Sequence, residues 1–160
     1  MRHRRRAASR GGNLRLFESQ SEYGAAPPLP EGDETDRLRR EYRVLGFLCD
    51  RHPLSLFRDH PVLRRTIRSD DLRSRIGKPV AVAAWPVCHK TVYARSGKRM
   101  GFFTFEDETG LIETVLFPDV YERCIHRLAA NGPVILSGIP ENQWGAVVLH
   151  VGEVKRIRNP

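Results

Sequence analysis

Cysteine is scarce in this chain, and its spacing excludes two chemistries. Cys49, Cys88 and Cys124 are far apart, and none belongs to a CxxC pair or a Cys/His cluster with zinc spacing. Three separated cysteines fit reduced, buried thiols in a cytoplasmic protein, not a disulfide framework. No apolar run approaches the ~20 residues that span a bilayer. The start, MRHRRRAASRGG, has no apolar stretch behind its charge, so it does not read as a secretory signal. Metal-binding and cofactor motifs are missing as well. His52 and His60 each precede a proline, and nothing nearby completes a metal site around them. Metal and cofactor are both therefore expected to be none.

Lysine is also rare: 23 of the 27 basic residues are arginine. The net charge of +8 is unevenly spread. Residues 1–17 carry six arginines and no acid. Residues 18–77 hold eleven basic and eleven acidic residues, and 78–160 hold ten and eight. The basic character is thus mainly that of a short tail. Such a tail either binds nucleic acid electrostatically or is an uncommitted arginine-rich start, and composition does not choose between them.

Residues 1–33 read as a disordered basic and Pro-rich tail. Residues 34–77 read as a helical linker region. In "ETDRLRREYRVL", Leu38, Tyr42 and Leu45 fall at helical spacing, with Asp33 as N-cap and Gly46 just beyond the end. The two His-Pro pairs interrupt this pattern, because a residue before proline is pushed out of the helical region. Ser69 with Asp70 and Asp71 predicts a second helix, capped by Ser69 and ending at Gly77.

From Pro79 the texture becomes that of strands. "PVAVAAWPVCHKTVYA" is β-branched and broken by Pro86, which predicts a bent or bulged strand near an edge. Residues 100–107 and 111–117 form a hairpin around an acidic, glycine-ending turn. Pro118 opens a helix with Tyr121, Ile125 and Leu128 on one face. Two more strands follow, turning at Asn142–Gly145. Three strands, a helix and two strands over about 80 residues is the order of an OB-fold, a five-stranded barrel. The expected class is mainly β with helices, with the barrel at 78–158.

OB-folds bind oligonucleotides or oligosaccharides on strands 2 and 3 and on the loops after strands 1 and 4. Alternation sorts the second strand's side chains. Phe103 and Phe105 share a face and fit a core, whereas Thr104 and Glu106 do not. Phe102 is thereby left outside as a base-stacking platform, beside Thr104. Arg95, Lys98 and Arg99 of the "RSGKR" loop, with Lys90 nearby, supply a phosphate-contacting rim. Trp144, in the last turn, is a second candidate stacker. A plain structural reading has Phe102 cover a flank of the barrel and Trp144 pack on its end. Asp107, Glu108 and Glu113 suggest a two-metal site only weakly, since no acidic cluster on another strand joins them.

"FFTFEDETGLIETVLFPDVYE" resembles the OB segment of the bacterial DNA polymerase III alpha subunit. "LGFLCDRHPL", "IGKPVAVAAW" and "VYARSGKRM" are similar to the stretches that precede and open that segment. The resemblance runs from about residue 35 to residue 157 and concerns a C-terminal piece of that family alone. Asp50 and Arg51 depart from the small residues usual there. The resemblance implies contact with single-stranded template through Phe102, the 95–99 loop and their neighbours. It implies no nucleotidyl transfer, because the family's polymerase domains and catalytic aspartates have no counterpart here. The expected function is a non-catalytic module that binds single-stranded DNA in replication or repair, with DNA polymerase III subunits as further partners. The alternative is a protein-interaction module that docks on a polymerase without touching DNA. A split-gene partner, a stand-alone remnant and a fragment all remain consistent with the sequence.

Overall fold

The computed structural model describes residues 32–128 and 132–158. The expected disordered tail lies almost wholly outside them. Helix α1 spans Glu34–Leu45 and buries Leu38. Asp33 occupies the N-cap position but makes no side-chain capping bond. Gly46 ends the helix in the left-handed region (φ 80°), with its N–H donating to the Tyr42 carbonyl.

The His-Pro pairs turn out to be a repeated capping device. His52 and His60 each accept, through Nδ1, the backbone N–H two residues on, at 3.1 and 3.3 Å. The proline that follows starts a short 3-10 helix, Pro53–Phe57 in one case and Pro61–Arg65 in the other. Proline suits that position because its missing N–H would have had no helical partner.

The helix expected after Ser69 is instead a 3-10 helix, Ser69–Arg75, with Arg68 rather than Ser69 at its N-cap. The reason is a competing partner. The Ser69 N–H and hydroxyl donate to the Asp107 carboxylate at 2.6 and 2.7 Å, so the hydroxyl cannot cap its own helix.

Five strands close a barrel in the order β1-β2-β3-β5-β4. They are β1 (Val80–Tyr93), β2 (Arg99–Glu106), β3 (Leu111–Leu116), β4 (Val134–Gln143) and β5 (Ala146–Arg156), with helix α2 (Pro118–Leu128) between β3 and β4. β1 serves two neighbours in turn: Val80–Ala84 pair with β4, and Trp85–Tyr93 pair with β2. The switch falls at Pro86, and the register slips between Pro86 and Cys88. Proline is tolerated here because the strand has just parted from β4 and needs no N–H on that side. Closure comes from three parallel pairs between β3 and β5, Glu113↔Val148 to Val115↔His150. This is an OB-fold.

The interior holds Phe103, Phe105, Ile112, Leu116, Val134, Leu136, Leu149 and Val154, all at or near zero exposure. Thr114, the one buried polar residue among the described residues, donates its hydroxyl to the Phe103 carbonyl at 2.9 Å. α2 packs against the barrel through Tyr121, Cys124 and Leu128. Ile125, expected on that face, is only partly buried, and Cys124 is the deeper residue. Cys49 and Cys88, expected to be buried, are exposed. Cys88 pairs with Thr104 on the outer side of a strand that has no cover there.

The segment before the barrel is packed onto it. Phe57 joins Ala83, Ile135 and Ile157 in a second apolar cluster, with Leu56, Val62, Leu63 and Trp85 at its margin. This cluster covers the outer side of β1 and β4. Among the described residues, no helix is long and apolar enough to cross a membrane.

Candidate nucleic-acid interface

Because the extension covers β1 and β4, the outer side of β2 and β3 stays open. Alternation places Gly101, Phe103 and Phe105 inward and Phe102, Thr104 and Glu106 outward. Phe103 is buried, whereas Phe102 is 45% exposed. Phe102 pairs with Lys90 on β1 and with Val115 on β3. Directly paired residues of an antiparallel sheet share a face, with Cβ atoms ~4.5–5.5 Å apart. An exposed ring therefore sits beside an ammonium group that has no ion pair among the described residues.

The remaining candidates divide. Thr104 lies on the Phe102 face, and its hydroxyl donates to Glu113 across the strand pair at 3.1 Å. Arg95 lies in the exposed turn that joins β1 to β2, closed by the Ala94 N–H to the Lys98 carbonyl at 2.8 Å. Lys98 leans to the first turn of α2, 3.4 Å from Asp119. Arg99 has the inward parity of Phe103, and its guanidinium sits 5.9 Å over the Tyr121 ring. The structure thus brings Phe102, Lys90 and Thr104 together, and turns Arg99 toward α2. Trp144 is fully exposed at the tip of the β4–β5 turn, with a left-handed backbone (φ 56°).

Phe117 was not anticipated. It follows β3 at the parity of Leu111, Glu113 and Val115 and is 47% exposed, although Val115 itself is buried. Its ring stands edge-on to His150 at 5.3 Å. His150 is itself held by Glu141 at Nδ1 (3.1 Å) and by Gln143 at Nε2 (2.7 Å). The alternation of β3 carries the signal, but Phe117 stands at the junction with the helix that Pro118 opens, where strand parity alone does not fix its direction.

The acidic turn between β2 and β3 has a structural job. Both oxygens of Asp107 are occupied: they accept from the Ser69 N–H and hydroxyl, from the Thr109 N–H and hydroxyl, and from the Gly110 N–H. Burial pushes the Asp107 carboxyl pKa up, but the bonds from Ser69 and Thr109 outweigh it and leave the group below its ordinary value. Glu108 faces Arg58 at 3.5 Å, and Glu106 faces His52 at 3.5 Å. The turn thus anchors the N-terminal extension to the open hairpin. Among the described residues, no group of three or more His, Cys, Asp or Glu is placed to hold a metal ion.

Residues 80–157 match the family described as the OB-fold nucleic acid binding domain. The chain is 30% identical over 142 residues to an error-prone DNA polymerase of Symbiobacterium thermophilum, covering 87% of this chain and 13% of that protein. It is 33% identical over 124 residues to the DNA polymerase III subunit alpha of Aquifex aeolicus, covering 77% of this chain and 10% of that protein. The chain therefore spans only a small part of the curated relatives it matches. Among solved structures, asparaginyl-tRNA synthetase from Pyrococcus horikoshii superposes with a TM-score of 0.48 at 23% identity, over 58% of this chain and 23% of that one.

Proposed function

We propose that this chain, whose barrel matches the OB-fold nucleic acid binding domain, is a non-catalytic module that binds single-stranded DNA on the open face of β2 and β3. The observation that carries the reading is the pairing of an exposed ring, Phe102, with a cation, Lys90, that has no ion pair among the described residues. A base stacks on the ring while the ammonium meets the adjoining phosphate. Stacking of this kind tolerates any base, because every base has a π-face. Phe117 offers a second ring on the same face, and Arg95 and Lys98 extend the cationic path at one end. The likeness to replicative and error-prone polymerases supports DNA as the ligand and replication or repair as the setting. Polymerase subunits are the proposed protein partners.

Photo-crosslinking tests this directly. An oligonucleotide carrying 5-bromodeoxyuridine is irradiated with the full chain, and the adducts are mapped by mass spectrometry. Adducts at Phe102 or Phe117 are expected. Adducts confined to the other side of the barrel would overturn the reading. An absence of adducts, with co-purification of a polymerase, would favour the docking alternative.

A further inference from the structure

The open face is not where the cations are densest. Lys90 shares it with Glu106 and Glu113. Elsewhere, α1 and the C-terminal end of β5 border a cavity of about 940 Å³ whose lining includes Arg127, Lys155, Arg156 and Arg158. Its floor is formed by Tyr42, Phe57 and Trp85, which also line an adjoining cavity of about 410 Å³ bordered by Arg39 and Arg43. The two cavities share these three residues and together make up the groove. Among the described residues its lining holds a single carboxylate, Glu153, and Lys155 lies 3.0 Å from it. Arg39 pairs with Asp36 at 3.4 Å, and Arg127 donates to the Val154 carbonyl at 2.6 Å. Arg43, Arg156 and Arg158 have no ion pair among the described residues.

We propose that this groove is a second nucleic-acid site, one that takes the phosphodiester backbone rather than the bases. It shares no residue with the Phe102 site. Its rings are spent on each other and on the core: Tyr42 and Trp85 meet edge to face at 5.6 Å, and Phe57 is buried. They form a floor and offer no free platform for a base. What the groove offers is a row of guanidinium groups, whose planar forks match phosphate oxygens in pairs. A phosphodiester chain supplies evenly spaced charge along such a groove, and both single and double strands carry it.

The experiment uses the full chain, so the arginine-rich tail contributes equally throughout. Binding to a labelled 20-base-pair duplex and to a labelled dT oligomer is measured by anisotropy at two salt concentrations. The variants are Arg156→Glu/Arg158→Glu, its milder form Arg156→Gln/Arg158→Gln, Phe102→Ala, and Arg73→Glu/Arg75→Glu as an equal charge change elsewhere. Thermal melts confirm that each is folded. The groove reversal is expected to weaken binding about tenfold or more near 0.1 M salt and to flatten the salt dependence by about 1.4–1.8 units, as for two lost phosphate contacts. The neutral pair should fall between, and the control reversal should change binding less than twofold. Loss on the duplex identifies duplex as the source of the backbone, and loss on dT alone identifies single strand. Equal losses in the two reversals, or no loss in either, would overturn the proposal. So would displacement of the oligonucleotide by polyglutamate at equal charge, which would mark a site for acidic protein. If Phe102→Ala binds dT normally while the groove reversal fails, the open-face reading falls and the groove stands. The opposite pattern removes the groove alone.

Discussion

Phe102 and Phe103 are adjacent in sequence and opposite in role. One half-exposed ring faces solvent beside Lys90; the other is buried against Phe105 and Tyr121. Phe102→Ala is expected to weaken single-strand binding by ~1–3 kcal/mol and leave the melting temperature nearly unchanged. Phe103→Ala is expected to cost ~3–5 kcal/mol of stability, read by denaturant titration. Gly138 carries a sharper expectation. It sits where β4 slips register against β5, and an added Cβ would lie 2.1 Å from the His150 carbonyl oxygen. Backbone cannot yield as a flexible side chain does, so Gly138→Ala should destabilise by about 3 kcal/mol or more. The fate of the two phenylalanines was legible because strand alternation is binary and Thr104 and Glu106 make poor core. The direction of Arg99 was not. Its place in a basic loop suggested the rim, but its parity puts it with Phe103, and the Tyr121 ring that receives it comes from an element 22 residues away.

The β2–β3 turn is the element that joins barrel to extension. Asp107 holds Ser69 at its N–H and its hydroxyl, and the carboxyl's pKa is lowered as a result. A carboxyl with a folded-state pKa below its unfolded value stabilises fully above the unfolded value of ~3.9, and loses that contribution as pH falls through the folded value. Asp107→Asn places an N–H donor where one oxygen was needed and should cost about 1–2 kcal/mol near neutral pH, the low end for a half-exposed group. The gap between wild type and Asp107→Asn is expected to narrow as urea titrations move from pH 5 to pH 3. A gap independent of pH would contradict the assignment. At this scale the barrel was readable: five β-prone runs and one helix in a fixed slot, with Pro118 marking the helix start. The extension was less so. Its 3-10 helices rest on His-Pro capping and on a tertiary acceptor 38 residues from Ser69, and local pattern carries neither.

At the scale of the molecule, function follows from what is covered and what is bare. The extension seals one outer flank with Phe57, Leu56 and Trp85, and the sheet's remaining flank presents Phe102 and Phe117. The resemblance implied contact through Phe102 and the 95–99 loop; it carried neither the sealed flank, nor Phe117, nor the clamp formed by the acidic turn. The central claim is that a flexible polyanion lies on the open flank, held by stacking and by phosphate contacts. It is tested most directly by titrating a fluorescent dT oligomer with the wild-type chain and with Phe102→Ala, at 50 and 200 mM salt. The account predicts that wild-type affinity falls with salt, with a slope near −0.7 for each phosphate contact, and that Phe102→Ala binds ~5- to 150-fold more weakly with the same slope. Equal affinities for the two proteins at both salt concentrations would contradict it.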